Sequence, residues 1–241
     1  MGTGHLLKMA LKMNVQFQGV VFGYSRGNNL LDGVSFSVAP GESVAVIGPS
    51  GCGKSTLLKL VQGELRAVRG SVCLFGEDMS TLSRGKRNAM KRELMGLVFQ
   101  SPRLIDELSV VDNVAIPAML NGMKRSVAVG KAREVLQRFD VDVDQPVTTL
   151  SGGQACRVGL ARAVVNDPKL IIADEPTANL DPVLAEYVVS TLLAYCEKGA
   201  SLLVVTHDYG MARRCTRTYK LDGTLHTTTW DGRHSLDVSP V

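Results

Sequence analysis

The sequence predicts an α/β fold, a mainly parallel sheet covered by helices on both faces, with an N-terminal antiparallel β part and an inserted helical part. Three observations carry this. The runs Val44-Ala45-Val46-Ile47, Leu170-Ile171-Ile172-Ala173 and Leu202-Leu203-Val204-Val205 are apolar without alternation, as strands buried on both faces are. Val15-Gln16-Phe17 and Val34-Ser35-Phe36-Ser37-Val38 alternate instead, as half-exposed antiparallel strands do. Between them and the later runs, residues 109–148 carry helical spacing.

Taken in order, the antiparallel part covers about residues 14–42, with a turn at Gly27-Asn28-Asn29. Thr56-Leu57-Leu58-Lys59-Leu60 opens a helix after the first buried run. The helical part covers about 101–166. Ser109-Val110-Val111-Asp112 has the spacing of a capping box with Asp in place of Glu or Gln, and Pro117 and Gly122 punctuate the segment beyond it. Val127, Val135, Leu136 and Phe139 then recur at mostly helical spacing. One domain over 1–225 is expected. The remaining tail, 226–241, has few apolar residues and is expected to be loosely ordered.

Composition excludes several classes. The 241 residues are 45% hydrophobic and 21% charged, so a packed core is within reach and disorder is not indicated. With 27 Lys+Arg against 23 Asp+Glu the net charge is +4, too mild for a nucleic-acid coat, and no nucleic-acid partner is expected. Cys52, Cys73, Cys156, Cys196 and Cys215 are odd in number and form no C-x-x-C pair, which fits a reducing cytosol better than a disulfide framework. No apolar run approaches the roughly 18–20 residues of a membrane span. The start Met1-Gly2-Thr3-Gly4-His5-Leu6 shows no apolar h-region followed by a cleavage site, and Leu6 stands where a myristoylation signal requires Ser or Thr, so neither a secretory leader nor that acylation is expected. Any membrane role is expected to come through a partner.

Gly48-Pro49-Ser50-Gly51-Cys52-Gly53-Lys54-Ser55-Thr56 fits G-x-x-x-x-G-K-[ST], the phosphate-binding loop of P-loop NTPases. Glycines let backbone N–H groups turn inward around phosphate oxygens, Lys54 reaches the β/γ-phosphates, and the Ser55 hydroxyl can ligate Mg²⁺. The loop follows a buried strand and opens a helix whose N-terminus favours anions. Asp174 and Glu175 end the second buried run. Taken alone they are a solvated strand cap or a metal ligand beside a general base; behind a phosphate loop the second reading is better. Leu150-Ser151-Gly152-Gly153-Gln154 precedes a helix and offers a hydroxyl and exposed N–H groups, a second anion site or a flexible turn.

Phosphate loop, Leu-Ser-Gly-Gly-Gln and Asp-Glu, in that order, resemble the ATP-binding-cassette (ABC) ATPases over about residues 14–222. The resemblance implies an adenine-stacking role for Tyr24 and a Mg²⁺- and water-contacting role for Gln100, which also senses the membrane partner. It implies communication across a dimer by Asp181 and γ-phosphate contact by His207. ATP and Mg²⁺ are the implied cofactors. Ala155 and Cys156 depart from the long polar residues common after the signature, but no catalytic position is lost.

Ala173-Asp174-Glu175-Pro176-Thr177-Ala178-Asn179-Leu180-Asp181 resembles a bacterial subgroup with lipoprotein-releasing, macrolide-efflux and FtsE-like cell-division members. This implies an ATP-hydrolysing subunit that drives an integral membrane permease from the inner face of the cell membrane. A head-to-tail homodimer would join Lys54 of one copy to Ser151 and Gly153 of the other around each ATP. An importer subunit and a soluble, non-transport cassette are the alternatives. Residues 101–120, with Leu104, Ile105, Val110 and Val111, are expected either to dock the permease or to fill the helical core. Cys52, beside backbone dipoles, is either thiol-reactive or a tolerated small residue.

Overall fold

The computed structural model describes residues 13–25, 27–143, 145–230 and 236–240. The start of the chain, with the Met1–Leu6 reading, lies outside the described residues. Val15–Phe22 (β1) pairs antiparallel with Leu31–Val38 (β2) and with Arg69–Leu74 (β4), and β4 pairs with Glu77–Asp78 (β5). The sequence alternation has its expected cause: Val15, Phe17, Val20 and Phe22 point inward while Gln18 is exposed. Phe17 stacks on its partner Phe36 at 4.7 Å between ring centroids.

Among the described residues the second sheet has seven strands. Its parallel part runs Arg217–Leu221 (β9), Ser43–Ile47 (β3), Ser201–Thr206 (β8), Leu170–Asp174 (β7) and Met95–Val98 (β6), side by side in that order. The three apolar runs are β3, β7 and β8, and both faces of each are covered. Val44, Val46, Ile172 and Val205 pack toward the antiparallel sheet and Lys54–Val61 (α1). Ala45, Ile47, Ile171 and Val204 pack toward the helical side.

The helical side contains Val110–Leu120 (α3), Arg125–Arg138 (α4), Gly152–Val164 (α5) and Pro182–Glu197 (α6). Val110 and Val111 are buried in its core, so they belong to packing and not to a docking surface. Ser109 caps α3, accepting from the Asp112 N–H at 3.0 Å, but the Asp112 carboxylate receives the Ser109 hydroxyl rather than the backbone N–H that a capping box requires. Arg84–Leu94 (α2) is a surface helix with no buried residue, and Tyr209–Arg214 (α7) follows β8.

The expectation of a loosely ordered tail is corrected. Leu225–Trp230 (β10) pairs antiparallel with β9, and Leu236–Pro240 (β11) pairs with β10. Backbone pairing along an open sheet edge does not need apolar side chains. β-branched Thr227 and Thr228 suit an extended chain, and the Thr228 hydroxyl donates to the Thr218 carbonyl at 2.9 Å. Among the described residues no helix is long and apolar enough to cross a membrane.

Candidate functional site

Four adjacent parallel strands, β3, β8, β7 and β6, aim their carboxyl ends at one edge of the sheet. The phosphate loop follows β3, Asp174 closes β7, His207 follows β8, and Gln100 lies just beyond β6. This is the edge where ligands of parallel α/β sheets bind. The loop's sharp path needs glycine at two places. Gly53 caps α1 in the left-handed region (φ 108), and a Cβ there would stand 2.9 Å from a Leu31 methyl. A Cβ on Gly48 would collide with the Leu221 carbonyl and the Cys52 sulfur. Lys54 Nζ donates to the carbonyls of Gly48 (2.7 Å) and Pro49 (3.1 Å) and stands 3.7 Å from Glu175 Oε1. Pro49 thus serves through its carbonyl.

Glu175 takes a left-handed backbone (φ 47) directly after β7, and its N–H donates to the Val205 carbonyl at 2.9 Å. This turns the carboxylate toward β8, where Oε2 meets both the His207 N–H (3.0 Å) and the ring Nδ1 (2.7 Å). With Glu175 ionised, Nδ1 carries the proton. Asp174 is half-buried. Burial pushes its carboxyl above the ordinary value, opposed by a hydrogen bond from Ser55. The Tyr24 hydroxyl shares a 3.1 Å hydrogen bond with Thr56, and its ring stands edge-on to Phe22 at 5.1 Å. At 65% exposure the ring keeps a face open to solvent.

One cleft of about 610 Å³ gathers Tyr24, Ser50, Gly51, Gly53, Lys54, Ser55, Thr56, Gln100, Asp174, Glu175 and His207. Its remaining lining residue, Leu30, had no distinguishing pattern in the sequence. Ser151, Gly152, Gly153, Gln154 and Asp181 do not line it. Ser151 caps α5 in a reciprocal capping box: the Gln154 N–H donates to its hydroxyl at 3.2 Å and its own N–H donates to the Gln154 side-chain Oε1 at 2.9 Å. The S-x-x-Q spacing announces that box and was legible. Asp181 caps α6, accepting from the N–H groups of Val183 and Leu184.

Burial pushes the Cys52 thiol pKa up, and this outweighs the lowering by Lys54 and the loop N–H groups, which runs against activation of the thiol by the loop dipoles.

A family model described as ABC transporter matches residues 31–178. The lipoprotein-releasing system ATP-binding protein LolD of Hyphomonas neptunium is 43% identical over 201 residues, covering 81% of this chain and 88% of that protein. Its namesake in Alcanivorax borkumensis is 38% identical over 218 residues, covering 88% and 96%. A dimeric ATP-binding cassette solved in a post-hydrolysis state with ADP and Pi superposes with a TM-score of 0.79 at 30% identity, covering 93% of this chain and 98% of that one. The chain is therefore an ABC-type ATPase cassette and belongs to the ABC transporter family.

Proposed function

We propose that this cassette hydrolyses ATP to drive a membrane permease in lipoprotein release, working as a homodimer held at the inner face of the membrane by that permease. The observation that carries the proposal is the division of the site residues: a cleft with a phosphate loop, two carboxylates and a histidine, and a signature helix end that lies outside it. The likeness to LolD favours lipoprotein release over import or a soluble role.

In this reading the loop N–H groups and Lys54 bind the phosphates and Tyr24 stacks on the adenine. Glu175 takes a proton from water as its oxygen attacks the γ-phosphorus, and the bond to the β-phosphate oxygen breaks to leave ADP. His207 holds Oε2 through Nδ1 and turns its other ring nitrogen toward the γ-phosphate. The residues fit Mg²⁺. Ser55, Asp174 and Gln100 are oxygen donors lining one cleft, as a hard cation requires, and a half-buried carboxylate gains most from a cation. Ser55, Asp174 and Gln100 would hold it, and it would neutralise charge on the β/γ oxygens.

Beside the helical part, an apolar groove of about 400 Å³ is lined by Leu97, Phe99, Pro117 and Leu120, with Lys91 and Arg92 at its side. Leu120, 63% exposed, leaves this face the better permease contact than the Val110 region. The test is phosphate release by the chain alone and with the membrane protein that co-purifies with it in detergent. Release that rises in the complex is expected. No release in either preparation overturns the proposal.

A further inference from the structure

Arg162 lies within α5, beyond the signature end, and its guanidinium is half-buried. Its hydrogen bonds go to two backbone carbonyls: Arg103 at 2.9 Å, and Pro102. Burial pushes the guanidinium below its ordinary pKa, so carbonyl partners are worth more to it than water-exposed ones would be. The contact is close-packed as well as polar. A Cβ on Gly159 of α5 would meet Pro102 at 3.2 Å. Arg103 holds a left-handed backbone (φ 49) and lays its own guanidinium over the Phe99 ring, 4.6 Å from the centroid. Downstream, Asn113 of α3 closes the same loop by bonding Ile105 twice, at 2.8 and 3.0 Å. The loop after Gln100 is therefore fastened to two helices, and its fastening nearest Gln100 is Arg162.

We infer that Arg162 is a positioning residue. By gripping the carbonyls of Pro102 and Arg103 it sets where Gln100 enters the nucleotide cleft, and it makes that loop follow α5, whose N-terminus carries Ser151. Arg162 and Phe99 also line the apolar groove, so anything seated there touches this tie directly. The inference rests on the reading of the cleft as the ATPase site with Gln100 in it. Packing alone would give a different result: a general loosening, with effects independent of Gln100.

A double-mutant cycle separates the two. Arg162→Met keeps an unbranched apolar stem and loses every donor; Gln100→Ala removes the side chain that Arg162 places. Losing the Arg162 hydrogen bonds, or the Gln100 amide itself, lowers kcat about tenfold in each single variant, with KM for ATP within about twofold. The double variant is expected to fall no more than about twofold below the worse single. A multiplied loss of about a hundredfold overturns the inference. Arg162→Lys, with its charge but not its fork, is expected to lie between wild type and Arg162→Met. If Arg162→Met does not fold, the cycle is run with Arg162→Lys, and multiplied losses again overturn it. Amide hydrogen exchange carries the test without turnover. Residues 99–105 should exchange about tenfold faster in Arg162→Met or Arg162→Lys while the phosphate loop is unchanged. Equal exchange throughout overturns the inference, whereas a wild-type chain without turnover sinks the ATPase proposal instead.

Discussion

Glu175 holds a backbone conformation that non-glycine residues avoid, at a cost on the order of 1 kcal/mol. The surroundings enforce it. Its N–H is fixed by Val205, and its carboxylate is fixed by the backbone and ring of His207. The strain turns the carboxylate into the cleft, so the role is positional as well as acidic. Glu175→Gln preserves shape and removes basicity, so turnover should fall on the order of a hundredfold or more while ATP still binds. Phosphate release and equilibrium nucleotide binding read the two separately, and unchanged turnover would remove Glu175 from the role of base. The pair Asp174-Glu175 was legible in sequence because it ends an apolar run. Its bonding to His207 was not, because the contact is made by neighbouring strands β7 and β8 far apart in the chain. Cys52 shows the converse: loop dipoles are legible, but the burial that overrides them comes from packing against the core cluster between the two sheets, which the local sequence does not show.

At the scale of elements, the buried strands were legible because both faces of β3, β7 and β8 are covered, so no polar residue interrupts them. β10 and the edge strand β11 were missed because strands added at the border of a sheet can be polar, and their reason to be extended lies in the neighbour they pair with. The helical part was legible through its caps. Ser109 accepts from the Asp112 N–H and donates to one carboxylate oxygen at 2.8 Å, and Arg125 holds the other at 2.9 Å. The Ser109 bond, then Arg125, hold the Asp112 carboxyl below its ordinary value. A depressed carboxyl stabilises the fold above its unfolded pKa and loses that contribution as pH falls through the native one. Ser109→Ala should therefore cost about 1 kcal/mol at neutral pH and less in acid. Urea unfolding at the two pH values measures this, and an equal cost at both would mean that the Asp112 carboxylate takes no part.

For the whole molecule, the decisive fact is where the signature residues lie. Ser151, Gly153 and Asp181 sit at helix N-termini outside the cleft that holds Lys54 and Glu175, and the Ser151 and Asp181 side chains cap their own helices. A helix N-terminus with partial positive charge and exposed glycines is complementary to phosphate but has no phosphate of its own chain to meet. Two copies in head-to-tail order satisfy both halves. Nucleotide charge would then hold the pair: triphosphate draws the two positive half-sites together and diphosphate, lacking the γ-phosphate, does not. Glu175→Gln with Mg²⁺ and ATP should therefore sediment as a dimer, and with ADP as a monomer, with the dimer weakening as salt rises. Gly153→Asp adds a carboxylate where the partner's γ-phosphate would approach. In the Glu175→Gln background it should abolish the dimer yet leave ATP affinity of the single chain within about twofold, since the cleft is untouched. Dimers that form equally with ADP, or that survive Gly153→Asp, would mean that the two halves of the site are not joined across the interface.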